Sequence, residues 1–245
     1  MLQINHLTGF GVGGGEAEAV LANHLGGGSS TSAGQVVASL VASTTVGRRG
    51  LLLSAGDNAG TNGASCYEYS YYANNIPQTA TGHIHVTNDP GAASAGVTLA
   101  AASAISQLAS QAIGSRWANG VTATCKCVVA VEVYTASGAG VSVVESGSNT
   151  GTGTNPSITT TGPLYTGDLM VAFVAQEART VPSTPDAGFT TTQSAIADTT
   201  VAGTSVVISY QTFTATADLA SKTYSVTLGA SRDYAVGYVL LRASS

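Results

Sequence analysis

The sequence predicts an all-β protein, an antiparallel β-sandwich of jelly-roll-like layout with a glycine-rich N-terminal arm. Two runs, 167–175 and 235–242, are apolar at both odd and even positions, as strands buried on both faces must be. Residues 222–229 alternate strictly, which is typical of a strand with one buried face. We expect helix only in short pieces near residues 16–25 and 100–113.

The first segment, residues 1–34, contains glycine-rich runs on either side of a short piece with helical spacing of its apolar residues. A helix this short is marginal in water by itself. The segment is therefore either a solvated leader or an arm that becomes ordered against a neighbouring subunit. We favour the arm, and we place the β-sandwich domain at 35–245. The residues expected to anchor the arm are Phe10, Val20, Leu21 and Leu25.

The rest of the chain divides into two sets of predicted strands. The first set is 35–42, 50–55, 66–72, 81–87 and 121–134, and the second is 141–145, 167–175, 205–213, 222–229 and 235–242. Residues 147–161, rich in glycine, serine and threonine, are predicted to form a crossover loop between the halves. The halves are faintly similar, since 46–54 and 164–172 each lead into an opening strand. Two sets of strands indicate a sandwich.

The composition favours a subunit of an assembly. Charged residues make up 9% of the chain, against roughly 25% in an average domain. A surface of neutral polar residues has weak charge repulsion and tolerates permanent contact with other subunits, which predicts a homo-oligomer. An extracellular protein from an organism with a bias toward small residues is the alternative. The net charge of −5 and the lack of a basic stripe argue against nucleic-acid binding, and we expect no signal peptide or membrane-spanning segment.

One group of aromatic residues has two interpretations. Their rings could form a platform for sugar rings, or they could be ordinary residues of a sheet or subunit interface, which we favour. These residues are Tyr67, Tyr69, Tyr71, Tyr72 and Trp117.

Three residues are candidate metal ligands, although we expect no metal or cofactor. His83 and His85 would point the same way on a strand and could supply six nitrogens around a three-fold axis. Asp57 opens a loop with oxygen ligands of the kind that Ca²⁺ prefers. We expect solvent-facing histidines and a plain turn, because one charged residue is too little for Ca²⁺ and aspartate is a common turn residue.

The remaining reactive side chains predict no catalytic site. Cys125 and Cys127 are two apart on one strand face, where their geometry does not suit a disulfide, and we expect buried reduced thiols. The acidic residues Glu132, Glu145, Asp168 and Glu177 are scattered over different predicted elements, so no carboxylate pair is indicated. We therefore expect a protein that is not an enzyme.

Four segments of the sequence together resemble a known domain. They are Pro156-Ser157, Thr-Gly-Asp-Leu-Met-Val-Ala at 166–172, Thr-Pro-Asp-Ala-Gly-Phe-Thr at 184–190, and 238–242. This succession resembles a β-sandwich domain of tailed-bacteriophage virion proteins, found in minor tail, tail-fibre and capsid-decoration proteins, and the match spans about residues 40–242. The resemblance implies a structural protein of the virion, with other virion subunits as partners and no catalytic residues. A carbohydrate-binding module for adsorption to the host is the alternative.

Overall fold

The computed structural model describes residues 18–30, 38–40, 48–57, 68–73, 76–79, 81–88, 97–105, 113–116, 125–176, 189–198, 203–212 and 219–244. These residues form strands and connections without any helix, so the predicted all-β class is confirmed. They accordingly include no helix with the length and apolar character needed to cross a membrane.

The strands are numbered in chain order. They are β1 Val20–Ser30, β2 Ala38–Leu40, β3 Arg49–Asp57, β4 Glu68–Ala73, β5 Ile76–Thr79, β6 Thr81–Asn88, β7 Val97–Ile105, β8 Ile113–Arg116, β9 Cys125–Thr135, β10 Val141–Gly153, β11 Ser157–Thr159, β12 Leu169–Gln176, β13 Thr190–Asp198, β14 Gly203–Thr212, β15 Thr223–Ser225 and β16 Arg232–Ala243.

Two five-stranded antiparallel sheets pack face to face. The N sheet has the order β1-β9-β3-β7-β6, and the C sheet has the order β10-β16-β12-β14-β13. Alternate residues of both sheets meet in one apolar core, because successive side chains of a strand point to opposite faces. The fully or nearly fully buried members of this core include Leu51, Leu53, Val129, Val131, Val171, Phe173, Val239 and Leu241.

Smaller sheets flank this sandwich. The pair β11–β15 covers the outer face of the C sheet, where Met170, Val174 and Tyr238 pack with Tyr224 and Leu228 in a second core. The central strands β12 and β16 are therefore buried on both faces, which explains their continuously apolar sequences. Another sheet, β2-β8-β4-β5, forms from the first half of the chain, and its strand β2 lies against β1 and β9.

The N and C sheets repeat one topology. If the five strands of each sheet are ranked by position in the chain, both sheets have the order first, fifth, second, fourth, third. In both halves a short strand after the first pairs with a short strand before the fifth, as β2–β8 and as β11–β15. The third strand also bulges after its second paired residue in both, at His83 in β6 and at Thr192 in β13. The chain is thus two structural repeats.

The two repeats also contact each other reciprocally. The first strand of the N sheet, β1, lies beside the third strand of the C sheet, β13, and β10 lies beside β6 in the same way. If the two repeats are exchanged, the pattern of contacts stays the same. A two-fold axis relating the repeats would produce such a pattern. The faint similarity of the two halves in sequence therefore corresponds to a repeated fold.

Both predicted helices are wrong where the structure describes them. Residues 20–25 belong to β1, because the backbone pairs along its length with β9 and Val20 reaches the core. Residues 97–105 form β7 between β3 and β6, and 113–116 form β8. Alanine favours helix as an isolated residue, but the pairing partners on both sides override that weak preference. Residues 106–112 lie outside the description.

Two other expectations about layout need correction. Residues 147–153 continue β10 instead of starting a crossover loop, because their backbone pairs with β16. The strand β13, Thr190–Asp198, falls between the predicted strands 167–175 and 205–213, where no strand was predicted. Among the strands that the structure describes, the path crosses between the N and C sheets once, at the turn after β9, whereas a jelly roll interleaves two Greek keys. The sandwich is confirmed, but its layout is that of two repeats.

Candidate functional site

A polar cavity of about 340 Å³ lies beside the turn between β9 and β10, where the two repeats join. Arg48 and Arg49, just before and at the start of β3, line it together with Tyr134 and the turn. The Arg48 guanidinium lies 3.6 Å from the centre of the Tyr134 ring and donates to the Glu132 carboxylate at 2.9 Å. Glu132 is almost fully buried, and its ion pair with Arg48 supplies the partner that a buried carboxylate needs.

The turn itself is bound to the segment before β1. The backbone N–H of Ser137 donates to Glu18 Oε1 at 2.5 Å, and the Ser137 hydroxyl donates to the other carboxylate oxygen. These hydrogen bonds lower the pKa of Glu18, since they favour the charged form. The N-terminal end of β1 is thereby attached to the junction between the repeats.

The equivalent corner of the second repeat holds a different ion pair. Arg242 Nε and Nη2 donate to the two oxygens of Asp168 at 2.7 and 2.8 Å, and the Tyr165 N–H donates to Asp168 Oδ2 at 2.9 Å. The hydrogen bond with Asp168 raises the pKa of Arg242. The guanidinium also lies 4.5 Å from the Tyr165 ring centre. By strand pairing, Asp168 occupies the place of Arg48 in the first repeat.

A third polar cluster surrounds Glu145 on β10. Its carboxylate accepts from the Thr161 N–H at 2.7 Å, from the Thr161 hydroxyl at 2.9 Å, from the Gly162 N–H at 3.1 Å and from the Tyr238 hydroxyl. Burial raises the pKa of Glu145, but the hydrogen bonds from Tyr238, Thr161 and Gly162 outweigh it, so the pKa is lowered. Burial, followed by the bond to and the charge of Glu145, raises the pKa of Tyr238.

Neutral hydroxyl side chains dominate two exposed surfaces. On the outer side of β11 and β15, Thr159 and Thr223 face each other with their hydroxyl oxygens 2.8 Å apart. Neighbouring exposed positions on these segments are also serine or threonine: Ser157, Thr161 and Thr227. The second surface is β10, whose exposed residues include Ser142, Ser146, Ser148 and Thr152. These surfaces offer hydrogen-bonding groups without charge.

The residues predicted to anchor an arm are only partly described. Val20 is fully buried in the core of its own chain, so its assignment as an assembly anchor is wrong. The reason is that β1 is a strand of the N sheet rather than a separate arm. Leu21 is half-buried in the same strand. Phe10 lies outside the described residues, and the side chain of Leu25 is outside the description as well.

The structure describes the backbone of three of the five aromatic candidates. Tyr69, Tyr71 and Tyr72 belong to β4, where the backbone of Tyr72 pairs with Pro77. Their side chains are outside the description, and so are Tyr67 and Trp117. Whether these rings form a platform therefore stays a prediction.

The metal candidates do not come together with other ligands in the described residues. His85 is exposed on β6, whereas His83 is half-buried at the bulge. Burial, followed by the charge of Arg49, lowers the pKa of His83. Asp57 is the last residue of β3, and its side chain is outside the description. No group of three or more histidine, cysteine or acidic residues with metal-binding geometry occurs within the described ranges.

The Cys127 thiol is buried in the core, as predicted, and it forms no disulfide. The side chain of Cys125 lies outside the description. Sequence reasoning missed Arg48, Arg242 and Tyr238, and it treated Glu132, Glu145 and Asp168 only as scattered carboxylates. Each carboxylate pairs with a residue distant in sequence. The signal that could have found two of the partners is the repeat, because Arg48 lies just before the predicted opening strand of the first half and Arg242 lies in the closing strand of the second half.

Comparison with known proteins found no match to this chain among protein families, curated proteins or solved structures.

Proposed function

We propose that this chain is a non-enzymatic structural subunit of a tailed-phage particle, either a capsid-decoration or head-spike protein or a minor tail protein. Copies of the chain associate with one another and with other virion subunits. The proposal starts from the resemblance of about residues 40–242 to virion β-sandwich domains and from the low charge of the sequence.

The observation that carries it is how the described charged side chains are used. Asp168 binds Arg242, Glu132 binds Arg48, and Glu145 binds the segment before β12. These groups join strands within the body, while β10 and the outer side of β11 and β15 present hydroxyl groups. A body held together by internal ion pairs, with hydroxyl-rich surfaces of this kind, suits a subunit in permanent contact with its neighbours.

The test is to measure the protein in purified particles of the phage or bacterium that encodes it. Quantitative mass spectrometry should find it as a stoichiometric component, and its copy number separates the two locations. A decoration protein follows the number of capsid subunits, whereas a minor tail protein is present in few copies. Complete absence from purified particles would refute the proposal, and selective binding on a glycan array that Trp117→Ala removes would favour the adsorption module instead.

A further inference from the structure

The strand β10 is an unusually long edge of the C sheet. It has 13 residues, whereas strands typically have about five or six. Among the strands that the structure describes, it pairs only with β16. Its pairing is regular from Glu145 to Gly153, beyond a bulge at Val144. The opposite edge of this segment presents backbone N–H and C=O groups that another strand could use. One backbone donor of the segment, the Thr150 N–H, already donates to Asn149 Oδ1 at 2.9 Å, so pairing there requires the Asn149 side chain to turn away.

The strand carries none of the side chains that usually block such an edge. Natural edges are protected by charged residues, proline or a covering element. β10 contains no lysine, arginine, aspartate or proline. Its only charged residue, Glu145, is directed to Thr161, Gly162 and Tyr238 of its own chain. The bulge at Val144 interrupts one end and leaves the longer part regular.

The strand is also held firmly in its extended form. The Tyr238 ring lies against Gly147 and the Tyr234 ring against Gly151, each across the strand pair. From the N sheet, Asn88 Nδ2 donates to the Gly151 carbonyl at 2.7 Å. A strand fixed in this way loses little conformational freedom on pairing, which favours association.

We propose that two copies of this chain form a dimer by antiparallel pairing of their β10 edges. The pairing extends the C sheet of one copy into that of the other. It rests on the proposed function as an assembly subunit and names the contact between copies.

The chemistry of the strand selects an identical copy as the partner. Around a two-fold axis the β10 strand of one copy lies against the β10 strand of the other. A charge that points outward in one copy would therefore repel the same charge in the second copy. β10 avoids this because its carboxylate is bound by Thr161 and Tyr238 of its own chain. Serine and threonine hydroxyls both donate and accept hydrogen bonds, so a row of them complements an identical row. The exposed polar residues after the bulge are Ser146, Ser148, Asn149 and Thr152. The Ser146 hydroxyl donates to the His83 carbonyl at 3.3 Å and the Thr152 hydroxyl donates to Asp233, so these two oxygens can only accept from a mate.

Sedimentation velocity of the full-length chain tests the dimer. Ser148 lies near the middle of the regular segment, so the two copies of residue 148 come within about 8 Å of each other. The wild type should sediment as a dimer. Ser148→Lys and Ser148→Glu should each weaken self-association by about tenfold or more, since like charges then face each other. An equimolar mixture of the two variants should dimerise again.

Thr159→Lys is the matched control, because Thr159 is an exposed threonine on the outer side of β11; this variant should remain a dimer. Each variant is first shown to melt like the wild type. A monomeric wild type, a Ser148→Lys variant that remains dimeric, or a Thr159→Lys variant that dissociates equally would overturn the β10 interface. Presence of the wild type in particles is measured separately, so a dimer that fails by sedimentation leaves the proposed function standing.

Discussion

Individual carboxylates hold together segments that are far apart in the sequence. Asp168 is 1% exposed and accepts hydrogen bonds from Arg242 and from the Tyr165 backbone. Glu145 joins β10 to Thr161 and to Tyr238. A buried carboxylate with several donors is stable, whereas removal of its charge or its partners leaves polar groups unsatisfied.

Asp168→Asn should lower the free energy of unfolding by about 2–4 kcal/mol, because the buried side chain loses its charge and one of the two oxygens that accept from Arg242. Denaturant unfolding measures this difference. Asp233→Asn is the control, since Asp233 is half-exposed and should change stability by about 0.5 kcal/mol or less. Equal effects of the two substitutions would contradict the role given to Asp168.

Glu145 predicts a dependence of stability on pH. Its pKa is lowered in the folded state, so the carboxylate contributes stability above its ordinary pKa of 4.5, and that contribution is lost as the pH falls through the folded-state value. Glu145→Gln should therefore be less stable than the wild type near pH 7, and the gap should close below pH 4.5. Melting temperatures of both proteins across this range measure the gap. A gap that does not change with pH would exclude an electrostatic role.

At the scale of the strand, glycine and tyrosine pack as pairs between β10 and β16. A Cβ atom at Gly147 would lie 2.7 Å from Tyr238 Cε1, which is closer than real contacts allow. Tyr238 cannot easily move, because it is 1% exposed and bonded to Glu145. The absence of a side chain at Gly147 is therefore what lets the ring cover the strand.

Gly147→Ala should destabilise the protein by about 1–3 kcal/mol, because the added methyl group forces the Tyr238 ring or the backbone to shift. Gly153→Ala is the matched control on the same strand, where a Cβ atom meets nothing within 4 Å. It should be neutral or slightly stabilising. Thermal unfolding compares the two, and a Gly147→Ala variant as stable as the control would show that the packing is looser than the structure indicates.

The edge strand β1 also belongs to the body of the protein. Deletion of residues 1–30 removes the pairing with β9 and leaves a gap where Val20 fills the core. We expect the truncated chain to lose cooperative unfolding or to melt much lower than the full-length protein. A truncation that begins at Glu18 keeps β1 and its bonds to Ser137, and it serves as the control. Equal melting of the two truncations would contradict this assignment of β1.

At the scale of the whole molecule, the two repeats share one core. The inner faces of the N and C sheets bury their apolar residues against each other, and the chain connects the sheets through the turn at 136–140. Each repeat alone would expose this face to water, which is unfavourable in proportion to its apolar area. The repeats are therefore structurally similar but energetically dependent on each other.

Separate expression of residues 1–138 and 139–245 should give two fragments without cooperative unfolding, whereas co-expression should produce a folded complex. Circular dichroism and co-purification measure both results. The control is the intact chain with a protease site inserted in the same turn, which should remain folded after cleavage. Independent cooperative folding of either fragment would show that its inner face does not need the other repeat.

The sequence by itself determined the all-β class and the strands whose patterns are local. Runs apolar on both faces predicted β12 and β16, and the alternation of 222–229 predicted the burial of Tyr224, Val226 and Leu228. Only the tertiary structure decided β1 and β7, because glycine- and alanine-rich segments take their conformation from the strands beside them. It also decided which polar groups meet, since Asp168 and Arg242 are 74 residues apart. The apolar pattern of a strand can be read from neighbouring residues, whereas the pairing of strands and side chains depends on how the whole chain folds.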